Sequence, residues 1–284
     1  MEPFTNIRAL IIDMDGVLWH GDQPMPGLTV FFHTLRELQI GFILATNNAR
    51  LTQEQYVIKL AQMGVTVSRD EILTSSMATA LYLSEHVNPS ETRVFVIGEE
   101  GARLPLIERG FTLTELYELN ADPKNPNKGA DIVVCGMDKN LSWDKLATAT
   151  LTIRAGAQFI GTNGDTTLPT ERGLTHGNGA ILAALTAATG VSPTIIGKPE
   201  PIIYQQALAL LGVEPAYTVA IGDRLETDIL GAVRTGIRSL MVLSGVSCVD
   251  DFKTTDYQPT WVMQDIRAVT QALQNIPTLL RSEA

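Results

Sequence analysis

The sequence predicts an α/β protein with a doubly wound parallel sheet and a second domain inserted into it. Short apolar runs alternate along the chain with segments of helical periodicity, a pattern typical of parallel strands whose crossover helices cover both sheet faces. The chain has 284 residues, a length that suits two domains of ordinary size. Its middle part also differs from its ends, because it contains two long stretches of turn-forming residues.

Eight short apolar runs are predicted as strands. They comprise residues 9–13, 42–45, 94–98, 132–135, 159–161, 194–196, 219–221 and 240–243. Three of the segments between them carry helix signals. Residues 28–39 have apolar side chains at helical spacing, residues 52–63 open with a capping-box pattern, and residues 202–211 follow a proline suited to a first helical turn.

Two polar loops mark the middle of the chain. Residues 120–128 are polar and contain prolines, and residues 161–179 are rich in glycine, threonine and asparagine. Loops of this length are uncommon in a compact domain unless they serve a site. We therefore expect residues 85–188 to form an inserted α/β domain, and residues 1–84 and 189–284 to form the core domain together.

Composition limits the classes of partner. The chain has 31 acidic and 21 basic residues and a net charge of −10, so it repels nucleic acid and anionic lipid at long range, which argues against both as partners.

We find no leader pattern and no apolar run long enough to span a bilayer, and we expect a cytoplasmic protein. Cys135 and Cys248 lack metal spacing, which predicts two free, buried thiols rather than a disulfide.

Four polar clusters each follow a predicted strand. They are Asp13-Met14-Asp15-Gly16, Thr46-Asn47-Asn48, Gly197-Lys198-Pro199 and Gly222-Asp223-Arg224-Leu225-Glu226-Thr227-Asp228. The carboxyl ends of neighbouring parallel strands form the ligand crevice of an open α/β sheet. We therefore expect the four clusters to meet at one place in the fold, although they are far apart in the sequence.

The charges of these clusters predict a cation site. Asp13, Asp15, Asp223 and Asp228 would crowd one crevice, and two carboxylates about 5 Å apart repel by about 3 kcal/mol at an effective dielectric of about 20. Lys198 alone cannot neutralise four acids, whereas a hard divalent cation can, and Mg²⁺ suits a site with few carboxylates and a substrate phosphate. The four histidines are scattered, so we expect surface or packing roles for them and no zinc site.

The same residue types can hydrolyse a phosphate ester. A carboxylate can attack phosphorus and form an acyl phosphate, and a second carboxyl group nearby can give a proton to the leaving group and later take one from water. Phosphoryl transfer otherwise requires positioning and neutralisation of the phosphate oxygens. Mg²⁺, Lys198, the hydroxyl of Thr46 and backbone N–H groups after Asp13 and Thr46 would supply them.

Four segments, DMDGVLWHG, ATNNA, IIGKPEP and IGDRLETDI, resemble in this order the motifs of the haloacid dehalogenase superfamily. More narrowly they resemble its subfamily IIA, the NagD/p-nitrophenylphosphatase branch, over residues 9 to about 245. The resemblance implies a Rossmann-like core with a large α/β cap of the C2 type after the second motif. It also implies an Mg²⁺-dependent phosphatase that acts on a small phosphorylated metabolite.

The resemblance assigns catalytic and metal-binding roles residue by residue. Asp13 resembles the nucleophile, which is also a metal ligand. Asp15 resembles the general acid/base, whose backbone carbonyl binds Mg²⁺. Asp223 resembles the direct metal ligand.

The remaining motif residues resemble phosphate-binding and supporting groups. Thr46 resembles the hydroxyl that binds phosphate, and Asn47 and Asn48 shape the same loop. Lys198 resembles the lysine that steadies the nucleophile and the phosphate. Asp228 resembles a second acid that holds that lysine or metal-bound water.

The cap gives fewer signals. Asn163-Gly164-Asp165 resembles a cap loop that this branch often writes Asn-Pro-Asp, but it fits a plain turn equally well. Relatives that hydrolyse pyridoxal phosphate carry a histidine near the position of Leu168, and none stands there in this chain. Trp19 and Trp143 are predicted to be packing residues, with Trp19 close enough to the first motif to line the cleft.

Three other functions stay open at this point. A phosphomutase would return the phosphoryl group to its substrate, and a phospho-acceptor signalling module would keep its acyl phosphate. A non-catalytic binding protein would leave Asp15 and Lys198 without a role. The natural substrate is not determined by the motifs, and sugar phosphates, nucleoside monophosphates and phosphoglycolate are all compatible with them. Relatives often dimerise through the cap, and nothing in this sequence requires a homodimer.

Overall fold

The computed structural model describes residues 4–118, 129–170 and 172–275. The predicted loop 120–128 therefore lies outside the described residues. The chain divides into two compact units. The first unit comprises Met1–Thr46, Glu54–Leu73 and Lys198–Ala284, and the second comprises Asn47–Gln53 and Thr74–Gly197.

The strands and helices alternate as the sequence predicts. The strands in chain order are β1 Ala9–Ile12, β2 Trp19–His20, β3 Gln23–Pro24, β4 Gly41–Thr46, β5 Ile72–Thr74, β6 Arg93–Ile97, β7 Thr112–Leu113, β8 Ile132–Cys135, β9 Gln158–Gly161, β10 Thr167–Thr170, β11 Gly173–His176, β12 Thr194–Ile195, β13 Thr218–Gly222, β14 Arg238–Val242 and β15 Trp261–Met263. The helices are α1 Leu28–Glu37, α2 Gln53–Gln62, α3 Ser75–His86, α4 Glu100–Glu108, α5 Trp143–Arg154, α6 Asn178–Thr189, α7 Pro201–Leu211, α8 Leu230–Thr235 and α9 Ile266–Gln274. All eight predicted strands and all three predicted helices are confirmed, with ends shifted by two residues at most.

The first unit contains a six-stranded sheet with the order β15-β14-β13-β1-β4-β5. Strand β1 is fully buried and pairs in parallel with a strand on each side, so that Ile12 lies opposite both Ile221 and Leu44. From β1 the chain winds outwards through β4 and β5, and it later winds in the other direction through β13, β14 and β15. The predicted doubly wound sheet is confirmed, and its switch point lies beside β1, where such folds bind ligands.

The second unit contains a five-stranded sheet with the order β12-β9-β8-β6-β7. Helices α5 and α6 cover a core that includes Phe95, Val133, Phe159, Ile181 and Leu185. Strands β10 and β11 form a separate antiparallel hairpin. The inserted domain predicted over residues 85–188 falls within this unit, which is longer at both ends and also takes in Asn47–Gln53.

One strand assignment is wrong. We expected the strand before Lys198 to lie in the core sheet with the strands that precede the other three clusters. Strand β12 instead pairs with β9, in the sheet of the second unit. Its apolar run is only two paired residues long, and a run so short carries no signal that distinguishes one sheet from another.

Two predictions about burial are also wrong. Cys135 and Cys248 are both free, as predicted, but Cys248 is exposed. Trp143 is 83% exposed and packs little, because it occupies the first position of α5, where a side chain can point into solvent. Trp19 is fully buried, as expected of a packing residue. The histidines are all exposed, namely His20, His33, His86 and His176.

The described part of the chain contains no helix with both the length and the apolar composition that crossing a bilayer requires.

Candidate active site

Asp13 and Asp15 follow β1 directly, and the structure places them in different surroundings. The backbone N–H of Asp13 donates to the carbonyl of Ile221 at 2.8 Å, which extends the parallel ladder by one residue. The Asp13 side chain is mostly buried, whereas Asp15 is exposed. Gly16 then reverses the chain with a φ of +84°, and a Cβ there would lie 2.5 Å from an oxygen of Asp223. Glycine is required at this turn for its positive φ and for the space that the acid occupies.

Asp223 follows β13, the neighbour of β1. Its Oδ2 accepts a hydrogen bond from the backbone N–H of Val246 at 2.7 Å. Its Oδ1 is buried and has no hydrogen-bond partner among the described residues. Burial, and then the negative charge of Asp228, raise the pKa of Asp223 to about 6. A buried carboxylate oxygen without a donor is costly, and a cation would remove that penalty.

Asp228 lies on one turn of π-helix, Leu225–Ile229, an irregular element that often occurs at functional sites. Its two oxygens are both engaged: Oδ1 accepts from Lys198 Nζ at 2.7 Å, and Oδ2 accepts from the backbone N–H of Arg224 at 3.1 Å. A Cβ on Gly222 would lie 2.1 Å from the Cβ of Asp228. The absence of a side chain at Gly222 therefore lets this acid approach the end of the strand.

Lys198 connects the acids. It is 3% exposed, and its ammonium group donates to Asp13 Oδ1, to Asp228 Oδ1 at 2.7 Å and to the carbonyl of Ala45 at 3.1 Å. Burial alone would lower the pKa of Lys198, but the carboxylates of Asp13 and Asp228 raise it well above its usual value. The lysine is therefore charged at neutral pH and serves as an electrostatic group, not as a base.

The cluster has more negative than positive charge. One oxygen each of Asp13, Asp223 and Asp228 lies within 4.8 Å of the others, the one such grouping of three potential ligands found in the described residues. Burial raises the pKa of Asp13 well above its usual value, and the charges of Asp228 and Asp223 add to this, while Lys198 opposes it. Three carboxylates against one ammonium group, with one oxygen of Asp223 unpaired, fit a hard divalent cation bound through oxygen.

The second cluster, which follows β4, is divided between the two units. Thr46 is the last residue of β4 and is 2% exposed. Asn47 belongs to the second unit, where its amide donates to Asp165 Oδ1 at 3.1 Å and its carbonyl accepts from Asn163 Nδ2 at 2.8 Å. Asn48 also belongs there and accepts from a backbone N–H two residues further on. Asn163 and Asp165 thus have a structural use in the second unit.

Sequence reasoning missed two groups of supporting residues. The carbonyl of Ala45 and the N–H of Val246 hold Lys198 and Asp223, but backbone groups leave no sign in a sequence. The indole Nε1–H of Trp19 donates to Asp15 Oδ1 at 2.8 Å. A signal for this contact was present, because a buried indole needs an acceptor and Asp15 stands only four residues before it.

Comparison with known proteins places the chain in a family. The model of the haloacid dehalogenase-like hydrolase family matches residues 10–112, and a second model, described as HAD-hydrolase-like, matches residues 195–269. The acid sugar phosphatase of Staphylococcus haemolyticus is 35% identical over 269 residues, which are 95% of this chain and 97% of that protein.

Two solved structures extend the comparison. The 4-nitrophenylphosphatase of Thermotoga maritima has a TM-score of 0.87 and 30% identity, with 95% of this chain and 99% of that chain covered. The glycerol phosphate phosphatase of Mycobacterium tuberculosis, solved in complex with magnesium, has a TM-score of 0.83 and 34% identity, with 95% of this chain and 78% of that chain covered. The motifs, the sheet order and these relatives agree, and the chain belongs to the haloacid dehalogenase-like hydrolases, in the NagD/p-nitrophenylphosphatase branch, as an enzyme whose relatives are phosphatases.

Proposed function

We propose that this chain is an Mg²⁺-dependent phosphatase that hydrolyses small phosphate monoesters through an aspartyl-phosphate on Asp13. The observation that carries the proposal is the buried cluster of Asp13, Asp223 and Asp228, in which Lys198 donates to Asp13 and Asp228. Such a cluster destabilises the fold, since burial raises the pKa of its acids. Three buried carboxylates beside one ammonium group are expected where a protein binds a cation and a phosphate.

The carboxylates of Asp13 and Asp223 and the backbone carbonyl of Asp15 would hold Mg²⁺. The unpaired Oδ1 of Asp223 supports this assignment. Asp228 has both oxygens in hydrogen bonds, which supports a role in holding Lys198 instead. When bound, Mg²⁺ supplies positive charge that neutralises the phosphate oxygens and reduces repulsion of an attacking carboxylate.

In the first step a carboxylate oxygen of Asp13 forms a bond to phosphorus. The ester P–O bond breaks, its electron pair leaves with the ester oxygen, and that oxygen takes a proton from Asp15. The products are an alcohol, an aspartyl-phosphate and an ionised Asp15. Lys198 holds one Asp13 oxygen by a hydrogen bond, which orients the carboxylate for attack.

In the second step water hydrolyses the aspartyl-phosphate. The ionised Asp15 takes a proton from the water as the oxygen attacks phosphorus, and the P–O bond to Asp13 breaks. Inorganic phosphate leaves, and both aspartates return to their starting states. The general acid must exchange protons with the leaving group and with water, and the exposure of Asp15 supports that role.

The phosphate would be bound by the Thr46 hydroxyl and the Lys198 ammonium group, with Asn47 and Asn48 shaping the loop after Thr46. Thr46 ends β4, the strand beside β1. Phosphate sites at the carboxyl ends of such strands use hydroxyl, ammonium and backbone N–H donors together.

We also propose that the second unit is the inserted cap predicted over residues 85–188 and that it sets selectivity among esters. The three relatives named above act, by their names, on sugar phosphates, 4-nitrophenyl phosphate and glycerol phosphate, which share only the phosphate monoester. The free thiols of Cys135 and Cys248 support a reducing, cytoplasmic location.

Hydrolysis of p-nitrophenyl phosphate in Mg²⁺ tests the proposal. The Asp13→Asn variant is expected to lose activity by at least about a thousandfold while it stays folded, because the nucleophile is gone. The matched control is Asp138→Asn, which removes a buried acid of the second unit and is expected to keep activity. Full activity in Asp13→Asn would overturn the nucleophile assignment. Phosphate release without a sugar bisphosphate activator would count against a phosphomutase.

A further inference from the structure

Trp19 contacts the acid that the proposed reaction uses for proton transfer. Its Nε1–H donates to Asp15 Oδ1 at 2.8 Å. The contact is built into the turn after β1, where the N–H of Gly16 donates to the carbonyl of Trp19 at 2.8 Å and closes the segment between the two side chains. The backbone turn therefore places the indole beside this carboxyl group.

The indole ring is held firmly. Trp19 is fully buried and stacks on Tyr56, with ring centroids 6.3 Å apart and an interplanar angle of 22°. The ammonium group of Lys59 lies 4.7 Å from the centre of the indole and donates to the carbonyl of Gly21 at 2.8 Å. A ring fixed by packing and by a cation cannot follow the carboxyl group if that group rotates, so the hydrogen bond sets the orientation of the carboxyl group.

The contact also distinguishes the two oxygens of Asp15. An indole N–H can donate and cannot accept. The oxygen that faces it, Oδ1, must therefore be an acceptor and cannot carry a proton directed at the indole. The contact therefore leaves Oδ2 as the oxygen free to carry the acidic proton while Oδ1 accepts from the indole.

We propose that Trp19 is a positioning residue that orients Asp15 and assigns proton transfer to its Oδ2. This inference rests on the proposed phosphatase reaction, in which the proton on Oδ2 passes to the ester oxygen as the P–O bond breaks, and Oδ2 later recovers a proton from water. Trp19 itself touches no reacting atom. Its contribution is to hold one carboxyl rotamer and one protonation site through both steps.

A comparison of two aryl esters separates this role from simple packing. Phenyl phosphate and p-nitrophenyl phosphate differ little in size, but the phenol is the weaker acid and needs more help from a general acid. Trp19→Phe keeps an aromatic ring and removes the N–H. We expect kcat for phenyl phosphate to fall by about tenfold and kcat for p-nitrophenyl phosphate by less than about threefold, with KM nearly unchanged for both.

The matched control is Lys59→Met, which removes the cation beside the ring and leaves the N–H in place. It is expected to preserve the ratio of the two kcat values. Equal losses of kcat on both esters in Trp19→Phe, or no loss, would overturn the positioning role and leave the phosphatase proposal intact. A wild-type enzyme that hydrolyses neither ester in Mg²⁺ would overturn both.

A second measurement does not depend on the folding of Trp19→Phe. The chain has three tryptophans, so the Trp143→Phe and Trp261→Phe variants assign the Trp19 indole N–H resonance in the NMR spectrum. We expect that resonance to shift, and its exchange with water to accelerate by at least about tenfold, when Asp15→Ala removes the acceptor. A resonance that Asp15→Ala leaves unchanged would show that the indole does not hold Asp15.

Discussion

The two units of the chain differ in how buried acids at the carboxyl ends of their strands are balanced by lysines. In the first unit Asp13, Asp223 and Asp228 lie close together, and the one lysine among them, Lys198, donates to Asp13 and Asp228. In the second unit one buried acid, Asp138, follows β8. It has a lysine of its own, since Lys145 Nζ donates to Asp138 Oδ2 at 2.6 Å, and its other oxygen accepts from the N–H of Asn140 at 2.8 Å.

An uncharged hydrogen-bond network around Asn178 also lies in the interior of the second unit. Asn178 Nδ2 donates to the carbonyls of Cys135 at 3.0 Å and Asn163 at 2.8 Å, and its Oδ1 accepts from the Cys135 thiol at 3.4 Å. Burial raises the pKa of that thiol, so the network stays neutral. The second unit thus shows that a parallel sheet of this kind can be stable with its buried acid balanced by a lysine. The first unit carries more buried negative charge than positive charge, which stability does not require. We attribute the surplus to function.

The largest expected difference concerns the two lysines. Lys198→Met leaves three acids without a counter-charge, and we expect the free energy of unfolding to fall by about 3 to 5 kcal/mol, as when one partner of a buried ion pair is removed. Lys145→Met is the matched control and should cost about 2 kcal/mol or less, because Lys145 keeps a 26% exposed side chain and balances one acid. Urea denaturation in the absence of Mg²⁺ measures both. A larger loss of unfolding free energy in Lys145→Met than in Lys198→Met would contradict the proposed difference between the two units.

Mg²⁺ should stabilise the first unit's cluster. At a Mg²⁺ concentration about a hundred times its Kd, we expect the free energy of unfolding of the wild type to rise by about 2.7 kcal/mol. Asp223→Asn should abolish this rise, because the unpaired buried oxygen is lost as an anionic ligand. Asp138→Asn is the control and should retain it. Thermal denaturation with and without Mg²⁺ checks the result, and a full rise in Asp223→Asn would contradict the ligand assignment.

The neutral network should contribute stability that is independent of pH. Asn178→Ala leaves the carbonyl of Asn163 without its side-chain donor and the Cys135 thiol without its acceptor, while the carbonyl of Cys135 keeps the N–H of Thr162 at 2.9 Å. We expect a loss of about 2 kcal/mol. Because Asn178 carries no charge and the thiol stays protonated, the loss should be equal at pH about 6 and pH about 8. Denaturant titrations at the two pH values measure it. A loss that changes with pH would show that a charged group takes part.

The smallest expected effect comes from an acid that caps a helix and pairs with an arginine. Asp265 caps α9, and the guanidinium of Arg267 lowers its pKa. Asp265→Ala should cost about 1 kcal/mol at neutral pH.

The lowered pKa of Asp265 determines how its contribution to stability changes with pH. The carboxylate's advantage over Asp265→Asn should be present above pH about 4 and disappear as the pH falls through the lowered pKa. Asp13 and Asp223 have raised pKa values, so Asp265 is the reference acid of the same unit. A difference between wild type and Asp265→Asn that persists unchanged to pH about 2 would contradict this interpretation.

Much of the fold could be predicted from the sequence, because buried parallel strands are short apolar runs and crossover helices have their own period. The grouping of Asp13, Lys198, Asp223 and Asp228 followed from one more fact, that strand ends in a parallel sheet share an edge. For Lys198 the prediction of proximity succeeded although its strand lies in the other sheet. Lys198 is the residue at which the chain re-enters the first unit, so its placement does not follow the sheet that β12 joins.

The parts that could not be predicted depend on pairing and orientation. The sheet that β12 joins is decided by partners far away in the sequence. The exposure of Trp143 depends on which way the first turn of α5 faces. The sequence places a tryptophan four residues after Asp15, but the hydrogen bond between them depends on the turn at Gly16, which brings the two side chains together.

The most direct test of the central claim is to trap the phosphoryl group on Asp13. The Asp15→Asn variant should form the intermediate and hydrolyse it slowly, because the base for water is missing. The variant is mixed with p-nitrophenyl phosphate and Mg²⁺, quenched in acid, digested and analysed by mass spectrometry. We predict one phosphoryl group on the peptide that contains Asp13, and none when Asp13 is also changed to asparagine. Release of p-nitrophenol and phosphate by Asp15→Asn without any phosphoryl group on that peptide would contradict the account.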